Sequence, residues 1–187
     1  MKRPNAPSIT NIIGVLLVIV ALVSAGGLYY LASEYSKISE TLVTTKADIT
    51  SLRFAVNNTT GEVHITVTVT LNNTSDLDIE IHRVEYMSFV DMDSASLGSS
   101  NSYVGSGSTN DGNGTVPAGS QREVQIFHVI MPNTIYAERL EYALDGDNTL
   151  LAYISGFLWF RISDYPDLTD IDKLYIWHVS QETIIYV

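Results

Sequence analysis

The sequence predicts a mainly β protein: an antiparallel β-sandwich with one short helix, preceded by a long N-terminal transmembrane and stalk helix. Three observations carry that reading. Residues 12–31 form an unbroken run without a charged side chain. Residues 62–86 alternate polar and apolar with a period of two, break once at a polar cluster and then resume. One segment with helical spacing, 134–144, stands among runs that otherwise look like strands.

Taken in order, residues 1–11 are a short segment with Lys2 and Arg3 as its only charges. Residues 12–31 (IIGVLLVIVALVSAGGLYYL) span about 30 Å as a helix, the thickness of a bilayer's hydrocarbon core. Tyr29 and Tyr30 sit where an interfacial aromatic belt belongs. A cleaved signal peptide is the competing reading, with Val23-Ser24-Ala25 as its small-residue site. The length of the run, and its continuation into more helix, favour an anchor that is retained. Leu28, Leu31, Tyr35, Ile38 and Leu42 recur at spacings of three and four, a seam for the domain itself, a partner helix or other copies. The domain plan is therefore a cytoplasmic segment 1–11, a transmembrane helix and stalk 12–46, and an extracellular sandwich 47–187.

Charge supports that orientation. Lys2 and Arg3 precede the apolar run, so the positive-inside rule puts the N-terminus in the cytoplasm and the domain outside. All 21 acidic residues lie at Glu34 or beyond, against eight of the ten bases. Such a balance argues against nucleic acid or anionic lipid as a partner of the domain. Sequons at Asn57, Asn58, Asn72, Asn73 and Asn113 all fall beyond the helix and read as glycosylation candidates. Cysteine is absent, which removes disulfides and thiolate chemistry.

Within the domain, Leu52, Phe54 and Val56 mark a first strand over about 49–56, and 57–61 (NNTTG) a hairpin loop. Val63, Ile65, Val67, Val69 and Leu71 then share one face, with Glu62, His64, Thr66, Thr68 and Thr70 on the other. Burying those five aliphatics contributes about 1.5–3 kcal/mol each before chain entropy is subtracted. The cluster 72–76 (NNTSD) is a bend by which the chain crosses from one sheet to the other. Val84, Tyr86 and Phe89 carry the third strand towards Asp91. Residues 94–116, rich in Gly, Ser and Asn, read as a mobile loop or a hairpin with a disordered tip. A turn at 117–119 leads into a strand over 121–131.

The helix at 134–144 is capped by Asn133 or Thr134 and stops at Asp145-Gly146. Residues 150–162 (LLAYISGFLWFRI) are apolar on both faces, which predicts a central strand covered on both sides. An acidic loop follows over 164–172, and 173–187 supplies one or two closing strands. Its end, 183–187 (TIIYV), closes its own sheet or serves as a donor strand for a neighbour.

Candidate chemistry is sparse. His64, His82, His128 and His178 lie on strands without a metal-ligand spacing, and no nucleophile elbow, phosphate loop or zinc motif is present. The expectation is that the chain is not an enzyme. Asp164, Asp167, Asp170 and Asp172 offer hard oxygen ligands that suit Ca2+, the one cofactor the sequence suggests, although an acidic turn solvating a surface is the plainer explanation. Tyr153, Phe157 and Trp159 share a strand face, with Tyr175 and Trp177 nearby. They read as aromatic core under the helix, or as an apolar cleft between helix and sheet for a lipid or peptide.

From about residue 50 onward the chain resembles the group 2 late embryogenesis abundant family, the water-stress and hypersensitive-response domain. Residues 67–86 (VTVTLNNTSDLDIEIHRVEY) carry the resemblance, with Leu97-Gly98, 116–120 (VPAGS) and 155–162 (SGFLWFRI). The resemblance implies a seven-stranded sandwich with one helix, and a role in envelope protection or stress tolerance without a defined substrate. The N-terminal third is similar to archaeal pilin or archaellum-stator proteins in its short basic start and its IIGVLLVIVALV run. The expected function is a membrane-anchored binding or structural module of the envelope. The alternative is a subunit of a surface filament or stator. Expected partners are membrane lipid at 12–31 and, outside, other copies or surface-layer and envelope proteins.

Overall fold

The computed structural model describes residues 9–92, 102–109, 114–144, 146–165 and 172–187. The chain divides into two compact units, Met1–Glu40 and Thr41–Val187. The first is a stretch of helix α1 (Ile9–Thr44), 36 residues long. Its apolar part is long enough to cross a membrane, and none of its most apolar window is buried. On α1, Leu28, Leu31 and Tyr35 are each more than half exposed, and Ile38 and Leu42 lie further along the same helix.

The second unit is the sandwich. Its strands are β1 (Lys46–Val56), β2 (Val63–Asn73), β3 (Ile79–Val90), β4 (Tyr103–Thr109), β5 (Gly114–Val116), β6 (Ser120–Ile130), β7 (Thr149–Ile162) and β8 (Asp172–Tyr186), with helix α2 (Ile135–Ala143) between β6 and β7. They run in the order β4-β3-β7-β8-β1-β2-β6, with β5 beside β3. One layer is β1, β2 and β6; the other is β3, β4, β5, β7 and β8. The chain crosses between them at the bend 72–76, as the alternating pattern predicts. Strand β8 joins the layers, antiparallel to β7 along most of its length and parallel to β1 at residues 184–186. All the pairings but that one are antiparallel.

The core forms because one face of each strand is apolar. Ile65, Val67, Val69 and Leu71 are fully buried in β2, as are Ile79, Ile81 and Val84 of β3 and Ile154, Leu158 and Ile162 of β7 in the other layer. Side chains of the two layers interlock there as in other sandwiches.

Of the two readings of 94–116, strand β4 excludes an all-loop segment and agrees with the hairpin arm, since it pairs antiparallel with β3. Tyr103–Thr109 is an edge strand of β3, and Gly114–Val116 a second short one; the remainder of that stretch lies outside the described residues. Its glycines are used for packing. A methyl group on Gly107 would stand 2.6 Å from Tyr86 Cε1 and 3.1 Å from Ile126 Cγ2, and one on Gly105 would overlap the His128 imidazole. Bare backbone on β4 thus lets the side chains of β6 close the open side of the sandwich.

The bend is built on Asn73. Its side chain is fully buried, and its amide nitrogen donates to Leu77 O at 2.8 Å, Val116 O at 3.0 Å and Pro117 O at 3.2 Å. Its Oδ1 accepts from the Ser75 hydroxyl at 2.7 Å. One side chain therefore ties the crossover to the turn before β6. Helix α2 starts at a Thr134 cap, whose hydroxyl accepts from Ala137 N. It lies across the end of the sandwich and plugs it with Leu140, which is 2% exposed.

Candidate functional site

The aromatic residues of β7 do not lie under α2. Along β7 alternate positions are buried, and the intervening ones are half exposed. Leu150, Ala152, Ile154, Leu158 and Phe160 point inward. Tyr153, Ser155, Phe157 and Trp159 point outward. The expectation of a strand covered on both sides is therefore corrected: β7 is central in its sheet, yet its outer face meets solvent. Tyr153, Phe157 and Trp159 do not line a cleft between α2 and the sheet, because α2 packs at the strand ends. Ala137, Leu140 and Leu144 instead meet Val56, Val63 and Ile184 around a separate cavity of about 240 Å³.

Strand β8 extends the aromatic face. Register places Tyr175 opposite Phe157 and Trp177 opposite Ser155. Tyr175 is 52% exposed and Trp177 62%. On the other side of β7, Met87 of β3 stands opposite Ser155, and it is also exposed. Neighbouring rings are tilted: Phe157 and Trp159 are 5.7 Å apart at 53°, and Phe157 and Tyr175 5.5 Å apart at 62°. A depression of about 310 Å³ lies beside them, bounded by β3, β4 and β7, with Met87, Ser106, Ser108, Ser155 and Phe157 on its walls.

Polar groups are threaded through this face. The Tyr175 hydroxyl lies 2.9 Å from Ser155 Oγ and 3.2 Å from the Tyr153 hydroxyl. Hydrogen bonds from Ser155, then from Tyr153, hold the Tyr175 phenol below its ordinary value, and the bond to Tyr175 raises that of Tyr153. The three hydroxyls thus form one hydrogen-bonded group on the outer face. The cations nearby are engaged. Arg83 meets Glu85 at 2.6 Å and stands 5.6 Å from the Trp159 ring. The Lys173 ammonium lies 5.0 Å above Phe157, and Arg161 pairs with Glu80 at 2.7 Å.

The other candidate residues fall elsewhere. Asp164 and Asp172 flank a stretch that lies outside the described residues, as do Asp167 and Asp170 themselves. Asp172 accepts from its neighbour Lys173 N, and no cluster of three metal-ligating side chains occurs among the described residues. His64 is exposed beside Glu62, at 3.6 Å. His128 is half-buried, and burial lowers its pKa from the ordinary 6.5. Among the sequons, Asn58 and Asn72 are exposed, and Asn57 is half-buried with Oδ1 bonded to Thr59 N and Thr60 N. Asn73 is enclosed, and Asn113 lies outside the described residues.

No family model matches the chain, and no curated protein matches it. Solved structures do resemble it. A solution structure of an Arabidopsis thaliana protein is 14% identical, with a TM-score of 0.51 over 75% of this chain and 82% of that one. A crystal structure of an Archaeoglobus fulgidus protein is also 14% identical, with a TM-score of 0.47 over 75% and 94%. A candidate late embryogenesis abundant protein in solution is 11% identical, with a TM-score of 0.41 over 97% and 92%. At such identities the likeness is one of fold alone. These comparisons lend no support to the pilin-like reading of α1.

Proposed function

We propose that this chain is a membrane-anchored binding module, held by α1 and displaying the outer face of β7 and β8 outside the cell. Exposed Tyr175 and Trp177, beside half-buried Phe157 and Trp159, carry the reading. A soluble domain gains nothing in stability from tryptophan left in water, and a contiguous exposed aromatic patch marks an interaction surface. The apolar helix with Lys2 and Arg3 before it supports the anchor and its direction. A role in protecting the envelope, which the family resemblance implies, is compatible with such a module. A second reading, a subunit of a filament or stator, is favoured by the exposed Leu28, Leu31 and Tyr35 on α1.

Fractionation and surface proteolysis test the placement. The full chain should resist carbonate extraction, and protease added to intact cells should remove the domain while sparing an N-terminal tag. A soluble mature protein beginning at Gly26 would refute the anchor. For the binding role, full-length protein in nanodiscs should co-sediment with envelopes isolated from the source cells, and Trp177→Ala should weaken this at least tenfold. Ordered oligomers in nanodiscs that dissolve on Leu31→Glu, with no envelope binding, would favour the filament reading instead.

A further inference from the structure

We propose that the side of the sandwich between β4 and β6 is an acid-operated latch: neutral His128 holds it shut from a seat over Gly105, and a proton on the imidazole unseats the ring and parts the two strands. The open form bares Tyr86 and Ile126, each 1% exposed when the side is shut, while the hydrogen-bonded layers stay folded.

Strands β4 and β6 stand at the two ends of the strand order, so side chains close this side without a backbone ladder. Those side chains rest on glycine. His128 fills the space above Gly105, Tyr86 and Ile126 that above Gly107, and Arg122 that above Gly114 of β5. At Gly105 the ring atom nearest the position of a Cβ is Nε2, followed by Cδ2 and Cε1. His128 therefore turns that nitrogen onto a methylene group. Among the described residues no hydrogen bond reaches either ring nitrogen. Neutral imidazole fits such a seat by carrying its proton on Nδ1 and leaving Nε2 bare. Imidazolium has an N–H at both nitrogens, and the one on Nε2 faces carbon without an acceptor. Ile126 and Ile130, beside it on the inner face of β6, are 1% and 2% exposed, so the charged ring leaves through the gap by β4 and not through the core.

The groups around the seat do not compensate a positive charge. β2 turns Ile65 and Val67 inward, and its His64 meets Glu62 on the outer face. β3 presents the Tyr86 phenol, β4 the Tyr103 phenol, and β5 has no titratable side chain. Asp91 lies past the end of β3, its N–H bonded to Leu151 O of β7. α2 brings Arg139, which donates to Tyr103 O, and β6 itself brings Arg122, which donates to Thr115 O; both are cations. Burial lowers the His128 pKa from its ordinary 6.5, the direction that this seat requires. The Tyr86 hydroxyl is buried without a hydrogen-bond partner among the described residues, so opening hydrates a group that the closed form leaves unsatisfied. In the open form His128 regains its ordinary value. The ratio of open to closed is therefore constant well above 6.5 and rises below it, by up to about tenfold per pH unit for one proton.

The test uses the full chain in nanodiscs between pH 7.5 and 5. The chain has no cysteine, so Ile126→Cys supplies a single thiol beneath β4, and Ile176→Cys one on β8, away from that side. Labelling by dithiodipyridine is normalised at each pH to a cysteine in an unstructured peptide. With Ile126→Cys the normalised rate should rise at least threefold as pH falls, and with Ile176→Cys it should stay flat. Adding His128→Gln to Ile126→Cys should abolish the rise. Hydroxyl-radical footprinting of the native sequence gives the same readout without a variant: oxidation of Tyr86 should increase in acid, and that of Phe160, buried on β7, should not. Three outcomes overturn the latch. Equal rises at 126 and 176 would mean that acid unfolds the whole domain. A rise that survives His128→Gln would assign the acid response to other groups. A flat rate at 126, with Tyr86 oxidation unchanged, would show that this side stays shut.

Discussion

The imidazole of His128 on β6 lies over the Cα of Gly105 on β4, in the space that a Cβ would occupy. The two strands close the open side of the sandwich through this fit, without lying next to each other in the hydrogen-bonded strand order.

Adding a methyl group at Gly105 should force the imidazole to move, at a cost of about 1–3 kcal/mol in chemical denaturation. In a Gly105→Ala/His128→Ala double variant much of that cost should vanish, a coupling of ~1 kcal/mol or more. Gly156→Ala is the contrast. There the new methyl meets the Glu85 carbonyl and Tyr86 Cα, backbone that cannot swing aside, so no single side-chain truncation should rescue it. Simple additivity at 105 and 128 would show that the fit contributes nothing.

Acid should weaken the same closure. Burial holds the His128 pKa below its ordinary 6.5, so on acidification the unfolded chain takes up this proton before the folded one does. The stability that neutral His128 contributes is complete above about 6.5 and is lost as pH falls through the lower folded value. Melting temperature should therefore drop less between pH 7.5 and 5 in His128→Gln than in the native sequence. Parallel curves for the two proteins would contradict it.

Asn73→Ala should be among the most damaging single changes in the domain. It leaves the carbonyls of Leu77, Val116 and Pro117 without their shared donor, and a loss of about 3 kcal/mol is expected. Asn73→Asp should be worse, because a carboxylate would face those same carbonyls. Urea titration of both variants gives the order; an aspartate variant as stable as native would mean that the bend is held by other contacts.

Glycan attachment should follow exposure. In a glycosylating host, peptide mapping by mass spectrometry should find Asn58 and Asn72 modified and Asn73 bare, since the Asn73 amide nitrogen is enclosed by three carbonyl partners. Folded, secreted protein carrying a sugar on Asn73 would contradict the buried bend.

Much of this architecture is readable from residue order. The alternation over 63–71 is carried by β-branched residues on a half-buried strand, where the two-residue repeat and the burial coincide. The same parity extended two residues further puts Asn73 inward with Leu71. That signal was available, but the cluster's turn-like composition hides it. Strand β4 was not readable, because YVGSGST serves as an edge whose glycines accept side chains from β6, and such a composition looks like loop. The outer face of β7 failed for a different reason. When both faces of a strand are apolar, alternation no longer says which one is covered. Whether Phe157 and Trp159 lie in core or in solvent depends on where α2 docks, and α2 docks at the strand ends.

The pairing between β1 and β8 has a bearing on how the domain is made. Phe54, Ala55 and Val56 find their parallel partners at Ile184, Ile185 and Tyr186, and Val187 bonds back to Val56 O and Asn58 N. One margin of β1 thus waits for residues made some 130 positions later. A nascent chain presents β1, β2 and β3 first, and their layers stay unjoined until β8 has been made. Long-range closure of this kind is slow, and the strand margins stay adhesive in the meantime. The interval before β8 is made is therefore when this protein most needs a chaperone, and when a destabilised variant would be cleared by proteases.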